Sequence, residues 1–232
     1  MSTAHGSTPG TTPGTTPGTT DGASTPPARR HTARDLAQIA VFAALIAALT
    51  LPGAIPLGFG VPITLQTLGV MLAGAILGSR KGTLAVTVYV ALGLVGLPIL
   101  AGGAAGLGVL AGPTGGFLLG FIPGAFVTGW IVERFAPKIP FWALLVATLV
   151  GGVLVVYLVG IPWFAVVTGM PIGGAIGVMS PFLIGDVAKA VIAAGVAAGV
   201  HRAWPGLITP RPWPWTRAHG TSDIENAGTP AA

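Results

Sequence analysis

The 232-residue sequence has very few charged residues and no cysteine. Asp, Glu, Lys and Arg make up 7% of it, whereas soluble domains carry about 25%. A soluble domain of this length would need a solvated surface that so few charges do not supply. The absence of cysteine excludes disulfides, thiolate nucleophiles and cysteine-based zinc sites. With 52% hydrophobic residues and a mean hydropathy of +0.83, the composition indicates a helical membrane protein.

Further absences exclude several function classes. The sequence has no G-x-x-x-x-G-K-[ST] motif, so no ATP site of the P-loop type is expected. Intramembrane aspartyl chemistry needs two carboxylates, and only Asp186 lies within an apolar run. A metal site is not expected either, because the histidines fall in the tails or at a helix end: His5, His31, His201 and His219. We therefore predict no enzyme, no cofactor and no metal.

Six apolar segments are long enough to be read as membrane-crossing helices, and Pro or Gly marks most of their ends. The predicted spans are Asp35–Leu51, Ile63–Gly78, Gly82–Leu97, Thr114–Val132, Ile139–Val159 and Pro181–His201. The fold class expected is thus an all-α polytopic membrane protein. Short, polar segments join some spans, and longer connections rich in Gly and Pro join the others.

The positions of the basic residues give the orientation. With the N-terminus in the cytoplasm, ten of the eleven Lys and Arg residues fall on the inner side: Arg29, Arg30, Arg34, Arg80, Lys81, Arg134, Lys138, Arg202, Arg211 and Arg217. The outer segments contain none, as the positive-inside rule requires. We therefore expect the protein to lie in the cell membrane, with both termini in the cytoplasm. The net charge of +5 then reflects topology, and no nucleic-acid partner is predicted.

Three regions follow from the composition. Residues 1–33 form a Thr/Pro/Gly-rich N-terminal tail with almost nothing to bury, which predicts disorder. Residues 34–203 form the six-helix domain, and residues 204–232 form a polar C-terminal tail. The outer connections 52–62 and 98–113 are too apolar to lie free in water. We expect them to fold over an outward-facing pocket.

A charged pair stands in the last apolar run. Asp186 and Lys189 are three residues apart, so they share one face of a helix. With Ser180 as N-cap and Pro181 at the first helical position, they would lie about 7 and 12 Å below the outer end of the helix. Charges at membrane depth usually mark function. We predict that Lys189 meets a ligand carboxylate and Asp186 accepts ligand N–H groups; a structural ion pair is the alternative.

Other polar groups fall at the same predicted depth. Thr64, Gln66 and Thr67 lie on the outer turn of the second helix, and a buried Gln suits an amide or ureido group. An interhelical hydrogen bond explains Gln66 equally well. Tyr89 lies in the middle of the third predicted helix. Its hydroxyl needs a hydrogen-bond partner there, which is either a ligand or a neighbouring helix. Thr114 lies in a Gly-Pro-Thr-Gly-Gly segment that opens the fourth helix, where free N–H groups favour an anion.

Small residues recur every four positions on two helices. Ala40, Ala44 and Ala48 form such a stripe on the first helix, and glycines form another at 112, 116, 120 and 124. Stripes of small residues let helices approach closely. Similar spacings occur at Gly74 and Gly78 and at Gly195 and Gly199. We expect one of these faces to contact a partner subunit and the others to pack internally.

Several motifs together resemble one family. The segments Val61–Gly74, Gly93–Pro98, Gly112–Phe117 and Pro181–Lys189 are similar, in this order, to the BioY biotin transporters. Members of that family are substrate-binding S components of energy-coupling factor (ECF) transporters. The resemblance covers residues 34 to about 203, all six predicted spans, and leaves the tails uncovered.

The resemblance implies that the chain captures biotin near the outer face of the membrane. It also implies a T subunit and two ATPase subunits as partners, with Ala40, Ala44 and Ala48 facing the T subunit. Asp186 and Lys189 carry over as ligand-binding residues. Gln66, Tyr89 and Thr114 carry over as neighbours of family motifs. Lys189 is the one cation that the outer half offers to the biotin carboxylate.

Three other interpretations stay open. The chain is alternatively an S component for another vitamin, a non-transport scaffold subunit, or a proton-coupled carrier that works alone. The scaffold interpretation predicts that Lys189→Ala alters the stability of the protein but not its affinity for any ligand.

Overall fold

The structure, a computed structural model, describes residues 33–50, 55–57 and 61–208, with the backbone alone described at 55–57 and 61–63. Most of both predicted tails and part of the 52–62 connection lie outside these residues. The α-helices are α1 (Ala33–Thr50), α2 (Gln66–Val95), α3 (Gly115–Phe135), α4 (Phe141–Ala147), α5 (Val156–Thr168) and α6 (Ile172–Ala203). A π-helical segment, Thr148–Val155, joins α4 to α5, and two 3-10 turns, Ala101–Gly103 and Leu107–Ala111, lie between α2 and α3.

The all-α prediction needs one small correction. Strands β1 (Ile55–Leu57) and β2 (Val61–Ile63) pair as a short antiparallel hairpin before α2. The β-branched residues and prolines of this connection suit extended backbone. Within the described residues, four helical stretches are long and apolar enough to cross a membrane: Ala33–Thr50, Gly115–Phe135, Phe141–Thr168 and Ile172–Ala203. The described part of the chain is thus a helical protein of membrane type.

Helix α2 reverses direction at Gly78. This residue has φ +82° and ψ −178°, a conformation that essentially only glycine adopts. Gln66 Nε2 lies 2.8 Å from the hydroxyl of Tyr89, although 23 residues of straight helix would span about 34 Å. A Cβ on Gly82 would lie 2.6 Å from the carbonyl oxygen of Ala73. The two limbs, 66–77 and 79–95, therefore run antiparallel and correspond to the second and third predicted helices.

The prediction that the last helix starts at Pro181 is wrong. Helix α6 begins at Ile172 and carries Pro181 in its interior. Proline cannot donate to the carbonyl four residues earlier, which is that of Gly177. The hydroxyl of Ser180 donates to this carbonyl instead, at 2.8 Å. Asp186 and Lys189 consequently lie about 21 and 26 Å along α6, near its middle rather than near its outer end.

The predicted end of the fifth helix at Val159 is also wrong. The helical run continues through Pro162 to Thr168, so the segment between the fifth and sixth predicted spans is mostly helix. The turn between α5 and α6 contains Gly169, which is left-handed with φ +68°. Gly160 and Pro162 are poor helix formers, but a helix in a membrane protein accommodates both residues.

Glycines bring α3 against the π segment and α5. A Cβ on Gly120 would lie 3.1 Å from the carbonyl oxygen of Val156, and one on Gly124 would lie 2.8 Å from that of Gly151. A Cβ on Gly116 would overlap the Trp163 side chain. The close packing predicted for this glycine stripe is confirmed. Gly195 and Gly199 on α6, by contrast, have no atom within 4 Å of the corresponding position.

The basic residues gather at one end of the bundle, here called the basic end (Arg34, Arg80, Lys81, Arg134, Arg202). Lys81 Nζ lies 3.3 Å from a carboxylate oxygen of Asp35, which joins the reversal of α2 to the start of α1. The guanidinium of Arg34 lies 5.6 Å from the ring of Trp204, which follows α6. Glu133, on the last turn of α3, accepts hydrogen bonds from the backbone and hydroxyl of Ser79, each at 2.7 Å.

Candidate binding pocket

A cavity opens between α2, α3, α5 and α6, away from the basic end. It contains about 700 Å³ of space between protein atoms, part of which is open solvent at its mouth. Its wall has a polar part and a larger apolar part. The polar side chains are Thr64, Gln66, Thr67, Thr114, Tyr157, Asp186 and Lys189, and the apolar part includes Leu100, Val109, Phe117, Phe121, Met179 and Phe182. Such a wall suits a compact ligand with a few polar groups on an apolar body.

A buried ion pair forms the polar centre of the cavity. Lys189 Nζ donates to Asp186 Oδ1 at 2.8 Å. The hydroxyl of Thr67 donates to the same oxygen at 2.9 Å, and the hydroxyl of Tyr157 donates to Oδ2 at 2.7 Å. Asp186 is only 6% exposed. A carboxylate buried this deeply is stable only when it is paired and hydrogen-bonded, and three elements supply the donors.

The network leaves one donor and one acceptor unused. An ammonium group has three N–H donors, and Lys189 directs one to Asp186 and one to the oxygen of Thr67 at 3.2 Å. A carboxylate offers about four acceptor sites, and the described side chains fill three of those on Asp186. One N–H of Lys189 and one lone pair on Oδ2 of Asp186 therefore have no partner among the described side chains.

The π segment explains how Tyr157 reaches α6. A π turn accommodates an extra residue and changes the direction of the side chains that follow it. Tyr157 comes two residues after the segment ends at Val155. Within the segment, the hydroxyl of Thr148 donates to carbonyl oxygens that include Ala190 O of α6, at 3.1 Å. This contact links the π segment to α6, the helix that carries Asp186.

Gln66 and Tyr89 have different positions relative to the cavity. Gln66 lines it at 4% exposure. Tyr89 is fully buried behind Gln66 and is not among the lining residues. Its hydroxyl accepts from Gln66 Nε2, donates to the carbonyl of Ile99 at 3.0 Å and lies 3.2 Å from Thr50 Oγ1. Tyr89 thus fixes the orientation of Gln66 and leaves Oε1 of that amide as an acceptor at the cavity wall.

Thr114 and the aromatic residues form the wall contributed by α3. Thr114 precedes the first residue of α3 but makes no side-chain capping bond, so its hydroxyl is available to the cavity that it lines. Phe117 packs edge-on against Tyr157, with ring centroids 5.8 Å apart and planes at 88°. This contact supports the phenol that donates to Asp186.

The predicted site residues come together in part. Asp186, Lys189, Gln66 and Thr114 line one cavity, whereas Tyr89 lies behind it. The sequence interpretation did not assign Tyr157 or Phe117 to the site. A lone phenol within the apolar run 139–159 was a usable signal for Tyr157, because a buried hydroxyl needs a partner. No signal in the sequence pairs it with Asp186, 29 residues away.

The alanine stripe of α1 lies on a different surface. Ala40, Ala44 and Ala48 are all exposed, while Ile39, Ala43 and Ile46 on the opposite side of α1 are buried. Helix α1 therefore packs through the buried side, and the face left uncovered by the described residues holds the three alanines together with the exposed Leu36 and Val41.

Comparison with known proteins finds relatives that match most of the chain. The model of the BioY family matches residues 22–206. The biotin transporter BioY of Rhodobacter capsulatus is 46% identical over 77% of this chain and 98% of its own, and that of Rhizobium etli is 44% identical over 76% and 97%. A crystal structure of the S-component for biotin from an ECF-type ABC transporter aligns with a TM-score of 0.69 and 32% identity, over 73% of this chain and 90% of that one. The chain belongs to the BioY family.

Proposed function

We propose that this protein binds biotin and serves its uptake across the membrane as the S component of an ECF-type transporter. It is a transport protein and not an enzyme. The observation that carries the proposal is the buried pair of Asp186 and Lys189, which borders an apolar cavity and keeps one donor and one acceptor free. Relatives named biotin transporters and a solved S-component for biotin support the same ligand.

The free groups of the pair match the ureido group of biotin. A cyclic urea has a carbonyl oxygen that accepts and an adjacent N–H that donates. The remaining N–H of Lys189 fits the carbonyl, and the remaining lone pair of Asp186 fits the N–H. Hydrogen bonds that involve a charged partner are the stronger class, so this edge supplies both affinity and orientation.

The carboxylate of biotin then binds at another part of the cavity wall, whereas the sequence alone suggested that it binds Lys189. Asp186 already neutralises Lys189, and a second carboxylate beside the pair would meet the negative charge of Asp186. Thr64 and Thr114 offer neutral donors on other parts of the wall. The aliphatic chain and the thioether ring would lie against Phe117, Phe121 and Phe182, where apolar surface favours them.

Purified protein in detergent is expected to bind labelled biotin with one site per chain. Unlabelled biotin and biotin methyl ester should compete for that site, because both keep the ureido edge. Thiamine and riboflavin should not compete. Neither should 2-iminobiotin, in which a nitrogen group replaces the ureido oxygen that accepts from Lys189. Equilibrium competition binding gives all five results in one assay.

Each result in this assay decides between alternatives. Competition by another vitamin with no binding of biotin would support an S component of different specificity. Binding of no vitamin would leave the scaffold interpretation. Strong competition by 2-iminobiotin together with none by the methyl ester would place the carboxylate at Lys189 and contradict the orientation proposed above.

The topology we propose has six spans in the cell membrane. Both termini lie in the cytoplasm, and the basic end lies on the cytoplasmic side. The four long helical stretches and the two antiparallel limbs of α2 supply the six crossings. The basic residues at one end agree with the positive-inside rule, and the pocket then faces outward. Because the chain has no cysteine, single cysteines report sidedness.

A membrane-impermeant maleimide is expected to label Gly173→Cys in intact cells and to leave Arg80→Cys unlabelled. Both positions are exposed, and Gly173 has open space where a side chain would go. Permeabilised cells should label both variants, which controls for reactivity. The reverse pattern in intact cells would invert the proposed topology.

The partners we propose are an ECF T subunit and two ATPase subunits. The exposed face of Ala40, Ala44 and Ala48 on α1 supports a helix contact, because small side chains let another helix approach closely. An S component needs such a contact because the ATP hydrolysis that drives release of its ligand takes place on another chain.

A further inference from the structure

We propose that a second cavity, at the basic end, binds the phosphate group of an anionic phospholipid. This cavity lies between the connection that follows α3 and the last turns of α6, and it contains about 710 Å³ of space, part of which is open solvent. Side chains from both elements line it, among them Lys138, Pro140, Phe141, Ala198, His201 and Arg202. It is separate from the pocket assigned to biotin and shares no lining residue with it.

The charge of this second cavity is positive. Lys138 and Arg202 are exposed, and no salt bridge joins either of them to another described residue. The described carboxylates contact other groups: Asp35 contacts Lys81, Glu133 contacts Ser79, and Asp186 contacts Lys189. Two cations from different elements therefore line one cleft, and the single negative charge of a lipid phosphodiester between them would be attracted by both.

His201 has a supporting part in this arrangement. Its Nε2 lies 2.9 Å from the carbonyl oxygen of Ala75, and a carbonyl only accepts, so Nε2 donates this bond. The bond anchors the last turn of α6 to α2 and fixes the imidazole as part of the cavity wall. The charge that meets a phosphate comes from Lys138 and Arg202.

The surroundings favour a lipid phosphate over a free one. Pro140, Phe141 and Ala198 give the cavity an apolar side. Phe141 and the adjacent Trp142 are 46% and 56% exposed at the start of an apolar helical run. Aromatic side chains of this kind lie at the level of lipid headgroups, and basic pockets between membrane helices on the cytoplasmic side bind acidic headgroups. A free phosphate ion has no apolar part that would contact the apolar side of the cavity.

The test uses the full chain purified in a neutral detergent, with native mass spectrometry to measure bound lipid. Dioctanoyl phosphatidylglycerol is expected to bind saturably, and dioctanoyl phosphatidylcholine and glycerol phosphate are expected to bind much more weakly. Lys138→Gln combined with Arg202→Gln should weaken phosphatidylglycerol binding about 30-fold, from about 1 kcal/mol per basic residue. Arg80→Gln, which removes an exposed arginine outside the cavity, should leave that binding unchanged.

Several results would overturn the proposal. They are unchanged phosphatidylglycerol binding in the double variant, an equal loss in Arg80→Gln, or equal binding of phosphatidylcholine. Glycerol phosphate binding as tight as that of the lipid would show a site for free phosphate and would overturn the lipid assignment. If the double variant does not fold, Lys138→Gln alone should give a loss of about fivefold. Biotin binding should stay unchanged throughout, so this test is independent of the proposed function.

Discussion

Lys189→Met is expected to weaken biotin binding by about 10- to 150-fold. The substitution keeps an unbranched side chain of similar length but removes the N–H that we assign to the ureido oxygen. A hydrogen bond to a charged group contributes roughly 1.5–3 kcal/mol, which corresponds to this range of affinity. It also leaves Asp186 negative beside the ligand. Equilibrium binding of labelled biotin to the purified variant measures the loss.

Two further variants separate recognition from folding. Lys81→Met removes the lysine of the ion pair with Asp35 at the basic end and should leave biotin affinity unchanged. Lys189→Met leaves a buried carboxylate without its cation, which costs stability; adding Asp186→Asn removes that charge. The double variant should regain thermal stability without regaining affinity. Wild-type affinity in Lys189→Met, with lower stability alone, would make the pair a structural ion pair.

Ala44→Leu is expected to reduce biotin uptake by cells about fivefold or more, while the purified variant still binds biotin like the wild type. Ala44 lies in the middle of the exposed stripe on α1 and is not one of the residues that line the cavity. A leucine there would hold a partner helix away, and overpacking of this kind costs about 1–3 kcal/mol. Uptake of labelled biotin and binding by the purified variant are measured in parallel.

The matched control is Ala188→Leu, which enlarges an exposed alanine on α6 and should not reduce uptake. Equal uptake by Ala44→Leu and wild type would remove this face of α1 from the proposed T-subunit contact. Loss of both uptake and binding in Ala44→Leu would indicate a damaged fold.

The helices were predictable where the apolar pattern and its punctuation agree. The first helix was expected at 35–51 and is found at Ala33–Thr50, and the reversal before Arg80 and Lys81 was expected from the charge and glycine there. The prediction failed at the prolines of α5 and α6. Rules derived from soluble helices end a helix at proline, whereas Ser180 here supplies the bond that Pro181 cannot make.

The candidate site was predictable only as far as single residues stand out. Asp186 and Lys189 stand out because they are charges in an apolar run. Thr67 and Tyr157 complete the network, and they lie 119 and 29 positions before Asp186 in the sequence. Such partners depend on how the helices pack. The role of Tyr89 likewise depends on the antiparallel limbs of α2, which place it behind Gln66.

The most direct test of the central claim is a structure of the purified protein with biotin bound, in which the distances from the ligand to the buried pair are measured. The account predicts the ureido oxygen within about 3.2 Å of Lys189 Nζ and a ureido N–H directed at Asp186 Oδ2. It also predicts the carboxylate at a part of the wall away from this pair. A biotin carboxylate bound to Lys189, or biotin outside this cavity, would contradict it.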